Sequence, residues 1–162
     1  MLVDMFLKLE NPDVTGEATD ADHKDQIDVV SWSWGIQGST DVSTGRAAAK
    51  PKLTELRIVK RIDRSSPVLM QLVKNNKIAD RATLTLRKAG SKQLTFFKIE
   101  LKKVRVTAVN VESANAAAAP STEMVERVNL GFEHVTITYT PQGSTGAKGG
   151  GDVTFEADAY AV

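Results

Sequence analysis

Apolar and polar residues alternate at period two through most of this chain, which restricts the fold to one built from strands. Val3, Met5, Leu7 and Leu9 alternate with Asp4, Lys8 and Glu10, predicting a first strand that ends at Asn11-Pro12-Asp13. Ile27 to Gln37 reads as a second strand, with Trp32, Trp34 and Ile36 on one face and Ser31, Ser33 and Gln37 on the other. Gly35 weakens that strand's interior or marks a bulge. Leu53 to Asp63 is a third strand, in which Leu56, Ile58 and Ile62 alternate with Arg57, Val59 and Arg61. Further strands are expected over Arg81 to Lys88, from Gln93 onward, across Val128 to Tyr139 and over Val153 to Ala157. Two of these change phase. Phe97, Ile99 and Leu101 give way to Val104, Val106 and Ala108, and Val128, Leu130 and Phe132 give way to Val135, Ile137 and Tyr139. A one-residue insertion exchanges the two faces of a strand, so bulges are expected near Lys102-Lys103 and Glu133-His134. Long bulged strands are what a sheet needs in order to curl.

One short helix is signalled. Ser65-Ser66-Pro67 offers a capping hydroxyl before a proline in the first turn, and Val68, Leu69, Leu72 and Val73 form its apolar stripe. Asn75-Asn76 can end it in the left-handed conformation. Gly16 to Gln26 is polar, and Gly38 to Lys52 is rich in Gly, Ser, Thr and Ala without a pattern of either period, so it reads as a long loop. Ser113 to Ser121 and Gly143 to Gly151 read as flexible connectors, and Ala89-Gly90-Ser91 as a hairpin turn. At 162 residues the expectation is a single domain over 1–162, mainly β: a barrel of two curled, bulged sheets or a sandwich, about seven or eight strands in all, with one short flanking helix. Trp32, Trp34, Phe97 and Phe132 are its candidate core aromatics, a reading preferred for the tryptophans over a ligand-stacking shelf.

The chemistry of the chain is sparse. Lys plus Arg number 21 and Asp plus Glu 20, a net charge of +1 that argues against binding driven by nucleic-acid or anionic-membrane attraction and permits self-association. Cysteine is absent, which excludes disulfides, thiolate metal sites and a cysteine nucleophile. The first residues, Met1 to Lys8, lack the pattern of a cleaved leader, and no run of 18 apolar residues exists. His23 and His134 have no second ligand at a recurrent spacing. Asp20-Ala21-Asp22 resembles the opening of a calcium loop but lacks its glycine and closing glutamate, so a solvated acidic loop is the better account. Gly143 to Lys148 fails the spacing of a phosphate-binding loop. The cluster Arg57, Lys60, Arg61 and Arg64 reads as solvated strand charge. No catalytic constellation, metal site or cofactor motif is found, so the expectation is a protein that is not an enzyme and takes no cofactor. What these features fit is assembly through edges and loops.

Four ordered blocks carry a family resemblance. Gly16-Glu17 with Asp20, His23 and Ile27-Asp28-Val29-Val30-Ser31-Trp32-Ser33-Trp34-Gly35 resembles the first signature of the haemolysin-coregulated protein (Hcp) family, the inner-tube proteins of the bacterial type VI secretion system. Ile58 through Lys60 to Asp63 with Ser65-Ser66-Pro67, then Thr83 to Gly90 with Phe97, Ile99, Leu101 and Val104, and finally Val128 to Tyr139 with Thr140-Pro141-Gln142 resemble later blocks. The resemblance implies a barrel similar to phage tail-tube proteins, homohexameric rings stacked into a hollow tube, and partners in a contractile sheath, spike and baseplate. It also implies small effector proteins carried in the lumen, assembly in the bacterial cytoplasm, and secretion without a cleaved signal; neither nucleic acid nor membrane insertion is expected. Within that frame Ser31 and Ser33, opposite the tryptophans, are candidates for facing the lumen and its effectors. Asp41, Thr44, Arg46 and Lys50, in the Gly38 to Pro51 segment, are candidates for contacts between rings or subunits. The alternative is a monomeric small β-barrel that binds a ligand or partner.

Overall fold

The computed structural model describes residues 2–38, 40–47, 51–90, 93–113, 124–143 and 148–159. In chain order the elements are β1 (Val3–Glu10), β2 (Ile27–Asp28), β3 (Ser31–Ser33), β4 (Ile36–Gln37), β5 (Thr40–Asp41), β6 (Arg46–Ala47), β7 (Lys52–Leu53) and β8 (Leu56–Arg61). Helix α1 (Ser65–Lys74) follows, then β9 (Ile78–Lys88), β10 (Thr95–Ser113), β11 (Met124–Gly131), β12 (His134–Tyr139) and β13 (Val153–Asp158). The described residues are mainly β with one helix, as the periodicity predicts.

Strand β10 organises everything else. Its first half lies between β9 and β12, with Leu101 opposite both Ala82 and Val135. Its second half exchanges β12 for β11, pairing Arg105 with Gly131 and running to Ser113 opposite Met124. The pairing path is β2-β1-β9-β10-β11-β8-β3, with β12 and β13 branching from β10. Antiparallel pairing throughout lets one face pack and the other meet water. The two ends of the path are consecutive in the chain. Val29 donates its N–H to Met5 on one side and Val30 donates to Val59 on the other, so the sheet curls round without its ladder closing.

Burial changes phase near Lys102-Lys103 as expected, whereas the register shifts of β10 fall between Thr95 and Phe97 and between Val106 and Ala108. Ile99 and Leu101 are buried, Lys102 and Lys103 are exposed, and burial resumes at Val104 and Val106. Lys103 adopts φ 54, a left-handed kink at the point where β10 changes partners. Near Glu133-His134, by contrast, the chain breaks into two strands, β11 and β12, rather than bulging within one. The expected continuous strand Ile27 to Gln37 is likewise three short ones, because successive pieces pair with β1, β8 and β7. Gly38 to Lys52, read from sequence as a loop, contains the β5–β6 ladder, and the strands that flank it, β4 and β7, pair at its base. These short ladders project from the core, so they need no apolar alternation and leave no periodic signal. The connectors at 114–123 and 144–147 and the candidate Lys50 lie outside the described residues.

The core contains Leu7, Leu9, Ile27, Leu56, Ile58, Leu84, Ile99, Leu101, Val128 and Leu130, closed on one side by Leu69 and Leu72 of α1. Set among these apolar groups is an ionic cluster. The side chains of Lys60 and Glu126 are fully buried, and Lys60 Nζ lies 2.8 Å from Glu126 Oε2, 3.0 Å from Asp63 Oδ1 and 3.2 Å from Ser66 Oγ. Ser66 Oγ donates to Glu126 Oε2 at 2.5 Å and accepts the Asp63 N–H at 3.0 Å. Two serines expected to cap the helix are therefore used differently. The Asp63 carboxylate accepts the Ser65 N–H at 2.8 Å, while Ser66 joins the buried cluster. Lys60 is no solvated charge. It has the parity of Leu56 and Ile58, and it is buried because Glu126 stands directly across from it on β11.

The polar stretch from Gly16 to Gln26 is a clasp over the β1–β9 face. Gly16 donates to Asp25 O at 2.7 Å and Ala18 to Gln26 O at 3.0 Å. A Cβ on Gly16 would meet Gln26 O at 2.4 Å, so only glycine permits that approach. Asp20 is not a solvated acid. Arg87, 4% exposed, donates to its carboxylate at 2.9 and 2.5 Å, and reaches Asp4 at 3.1 Å. The guanidinium lies 5.3 Å from the centre of the Phe6 ring, which His23 stacks against at 4.4 Å. Glu17 accepts the Arg64 N–H at 2.8 Å and fastens the clasp to the start of α1.

The Arg87 guanidinium holds the Asp20 carboxyl down to about 2, from its ordinary 3.8. A lowered pKa stabilises the fold above the ordinary value and is lost as pH falls through the lowered one. The stability difference between the native chain and Asp20→Asn is therefore expected to be full at pH 7 and to shrink between about pH 4 and pH 2. Urea melts across that range check it, and a difference constant down to pH 2 would contradict the assignment.

Candidate functional site

The cross-strand register builds one continuous face from β3, β8, β11 and the second half of β10. Ser31, Val59, Arg127 and Asn110 form one row across it, and Ser33, Arg57, Asn129 and Ala108 the next. Residues paired across antiparallel strands share a face, so this row structure places two serines, two arginines and two asparagines together. Ser31, Ser33, Arg57, Arg127 and Asn110 are exposed, and Val59, Asn129 and Ala108 are half-buried. The opposite face holds Ile58 and Val128 in the core. Trp32 packs against that core, its ring 5.8 Å from Phe97. Trp34 and Phe97 pack on the core half-buried, and Phe132 is 6% exposed within it.

Ser31, Ser33, Arg57, Arg127 and Asn129 line a depression of about 320 Å³ that Val59 and the strand segments at Trp32 and Ile58 also border. Its charge is unevenly balanced. Arg127 Nε lies 2.5 Å from Glu112 Oε1, whereas Arg57 has no carboxylate partner among the described residues. The arrangement offers hydroxyls, amides and a guanidinium on one sheet face, which suits reversible polar contact with a partner. Neither histidine is near: His23 stacks on Phe6, and His134 Nδ1 is 2.8 Å from Asp158 Oδ1. Among the described residues no three His, Asp or Glu side chains form a metal-binding group. No described helix is long and apolar enough to cross a membrane.

Of the residues proposed from sequence for subunit contact, Asp41, Thr44 and Arg46 fall at the far end of the hairpin arm. Asp41 pairs with Arg46 in the β5–β6 ladder. The Asp41 carboxylate accepts the Ser43 hydroxyl at 2.7 Å and the Ser43 N–H at 3.0 Å, and these bonds lower its pKa. Gly45 (φ 69) returns the chain by donating to Asp41 O at 2.7 Å, and Thr44 Oγ1 accepts the Arg46 N–H. At the tip Val42 is 96% exposed, an apolar side chain with almost none of its surface covered by its own chain. Where the arm joins the body, Leu53, Glu55, Lys103, Thr107, Phe132 and Ala159 border a second pocket of about 200 Å³.

Sequence reasoning placed Ser31 and Ser33 on the face away from Trp32 but missed Arg57, Arg127 and Asn129 as their neighbours. Alternation gives the parity of each. Neighbourhood across strands depends on register, and β11 lies about seventy residues further along the chain than β8.

This fold is shared by known proteins. A family model described as "Type VI secretion system effector, Hcp" matches residues 6–139. The chain is 39% identical over 158 residues to protein hcp1 of Pseudomonas aeruginosa, covering 96% of this chain and 94% of that protein. The crystal structure of Hcp1 from Salmonella typhimurium superposes with a TM-score of 0.74 at 30% identity, covering 98% of this chain and 96% of that one. A solved type six secretion system protein shares the fold with a TM-score of 0.82 at 24% identity, covering 94% and 92% of the two chains. With the match spanning the clasp, the serine–arginine face, the helix and β8 to β12, the chain belongs to the Hcp family of type VI secretion system proteins.

Proposed function

We propose that this chain is a structural, non-catalytic subunit of the type VI secretion tube. Six copies form a ring, rings stack into a hollow tube, and a contractile sheath propels the tube with its spike and any effectors held in its lumen out of the cell. The observation that carries the reading is the Ser31–Ser33–Asn129 face. It is broad and polar, with small hydroxyls at Ser31 and Ser33 beside the charged Arg57 and Arg127, a lining that does not adhere to apolar cargo. In the ring this face turns inward, and the protein is assembled in the cytoplasm before secretion.

The arm supplies contacts between subunits or rings. Its exposed Val42 and its two-stranded ladders, which pair with no third strand among the described residues, gain cover against a neighbouring copy. Deleting residues 43–49 is expected to leave the curled sheet folded and to shorten or dissolve stacked assemblies in sedimentation velocity. Normal tubes from the deleted protein would refute the role. Native mass spectrometry with negative-stain imaging tests the larger reading: particles of six chains with a central hole are expected. A clean monomer at high concentration would overturn it in favour of a monomeric binding barrel.

A further inference from the structure

We propose that the depression between Arg57 and Arg127 recognises carboxylates, so that the segments of a protein held against this face are acidic ones. The inference rests on the reading that this face lines the lumen, and it adds the chemistry of what is retained there. Three observations carry it. Arg57 and Arg127 flank Val59 on adjacent strands, and both border the same depression of about 320 Å³. Arg127 is steadied at 2.5 Å by Glu112, whereas Arg57 has no carboxylate partner among the described residues, so the depression carries an unbalanced positive charge. Around that charge stand the hydroxyls of Ser31 and Ser33 and the amide of Asn129, which complete hydrogen bonds to a carboxylate's remaining lone pairs. A guanidinium presents a planar fork that a carboxylate matches with two parallel bonds. Six such positions round a ring would repeat the charge without making the whole protein basic, since the net charge of the chain is only +1.

The test uses the assembled native protein and three fluorescent peptides of equal length: one rich in Glu and Asp, one neutral, one rich in Lys. Anisotropy is expected to show binding of the acidic peptide alone, weakening as salt rises. Arg57→Gln should weaken it about five- to tenfold, the range for a charged hydrogen bond on an exposed face, and Arg127→Gln should weaken it in the same direction. Arg57→Glu should abolish it. Equal binding of all three peptides, or an unchanged affinity in Arg57→Gln, would overturn the proposal. So would a single-stranded oligonucleotide binding as tightly as the acidic peptide, since the face would then be a general polyanion surface. Native mass spectra of the same samples separate the two failures. Rings of six that ignore the acidic peptide sink this inference alone, whereas an absence of rings sinks the reading on which it rests.

Discussion

Truncating Glu126 to Ala is expected to cost about 3–5 kcal/mol of folding stability, the largest effect of any single substitution considered for this fold. The variant leaves Lys60, whose side chain is fully buried, without its partner at 2.8 Å. Asp63 at 3.0 Å offsets only part of that charge, because its carboxylate also accepts the Ser65 N–H at the start of α1. Ser66 Oγ loses its acceptor as well, so the helix is loosened from the sheet at the same moment. Replacing both members, Lys60→Met with Glu126→Leu, removes two desolvated charges together and is expected to recover most of the loss. Urea unfolding at one fixed protein concentration measures both, since association shifts apparent stability. A cost below about 1 kcal/mol for Glu126→Ala, the range of an exposed pair, would show that the cluster is not closed to water.

Ser33→Trp is expected to abolish retention of effectors while leaving ring formation intact. Ser33 is exposed and lies directly across from Arg57, so a larger side chain there meets no core and strains no strand. Tryptophan also suits a strand, so the sheet itself should hold. In a ring every copy would bring an indole into the bore, narrowing it and covering the depression beside Arg57. Steric exclusion of this kind acts on the complex and not on the subunit. Co-purification of an effector that native rings retain is expected to fall to background, with the native mass of the ring unchanged. Retention at the native level would remove Ser33 from the lumen.

How much of this was readable in the residues follows from where each signal resides. Alternation is local, so the strands of the body, the phase change at Lys103 and the exposed parity of Ser31 and Ser33 were open to a reader of the sequence. The blocks from Gly16 to Tyr139 likewise pointed to the family that the match over residues 6–139 shows. Pairing at a distance was not open. Lys60 sits at a core parity in β8, but nothing near it announces Glu126, and Asp20 resembles a solvated acid until Arg87, on a strand 67 residues later, reaches it. The arm was hidden for the opposite reason. Each of its strands is two residues long, too short for a hydrophobic alternation to show, and Asp41 and Arg46 are exposed.

The inward orientation of the β3–β8–β11 face is the claim on which the lumen, the retained effectors and the acid preference all depend. An electron cryo-microscopy reconstruction of the assembled protein addresses it directly. The expected result is a six-fold ring whose bore is lined by Ser31, Ser33, Arg57 and Arg127, with the arm reaching a neighbouring copy. A ring with this face on its outer wall, or buried between subunits, would contradict the account.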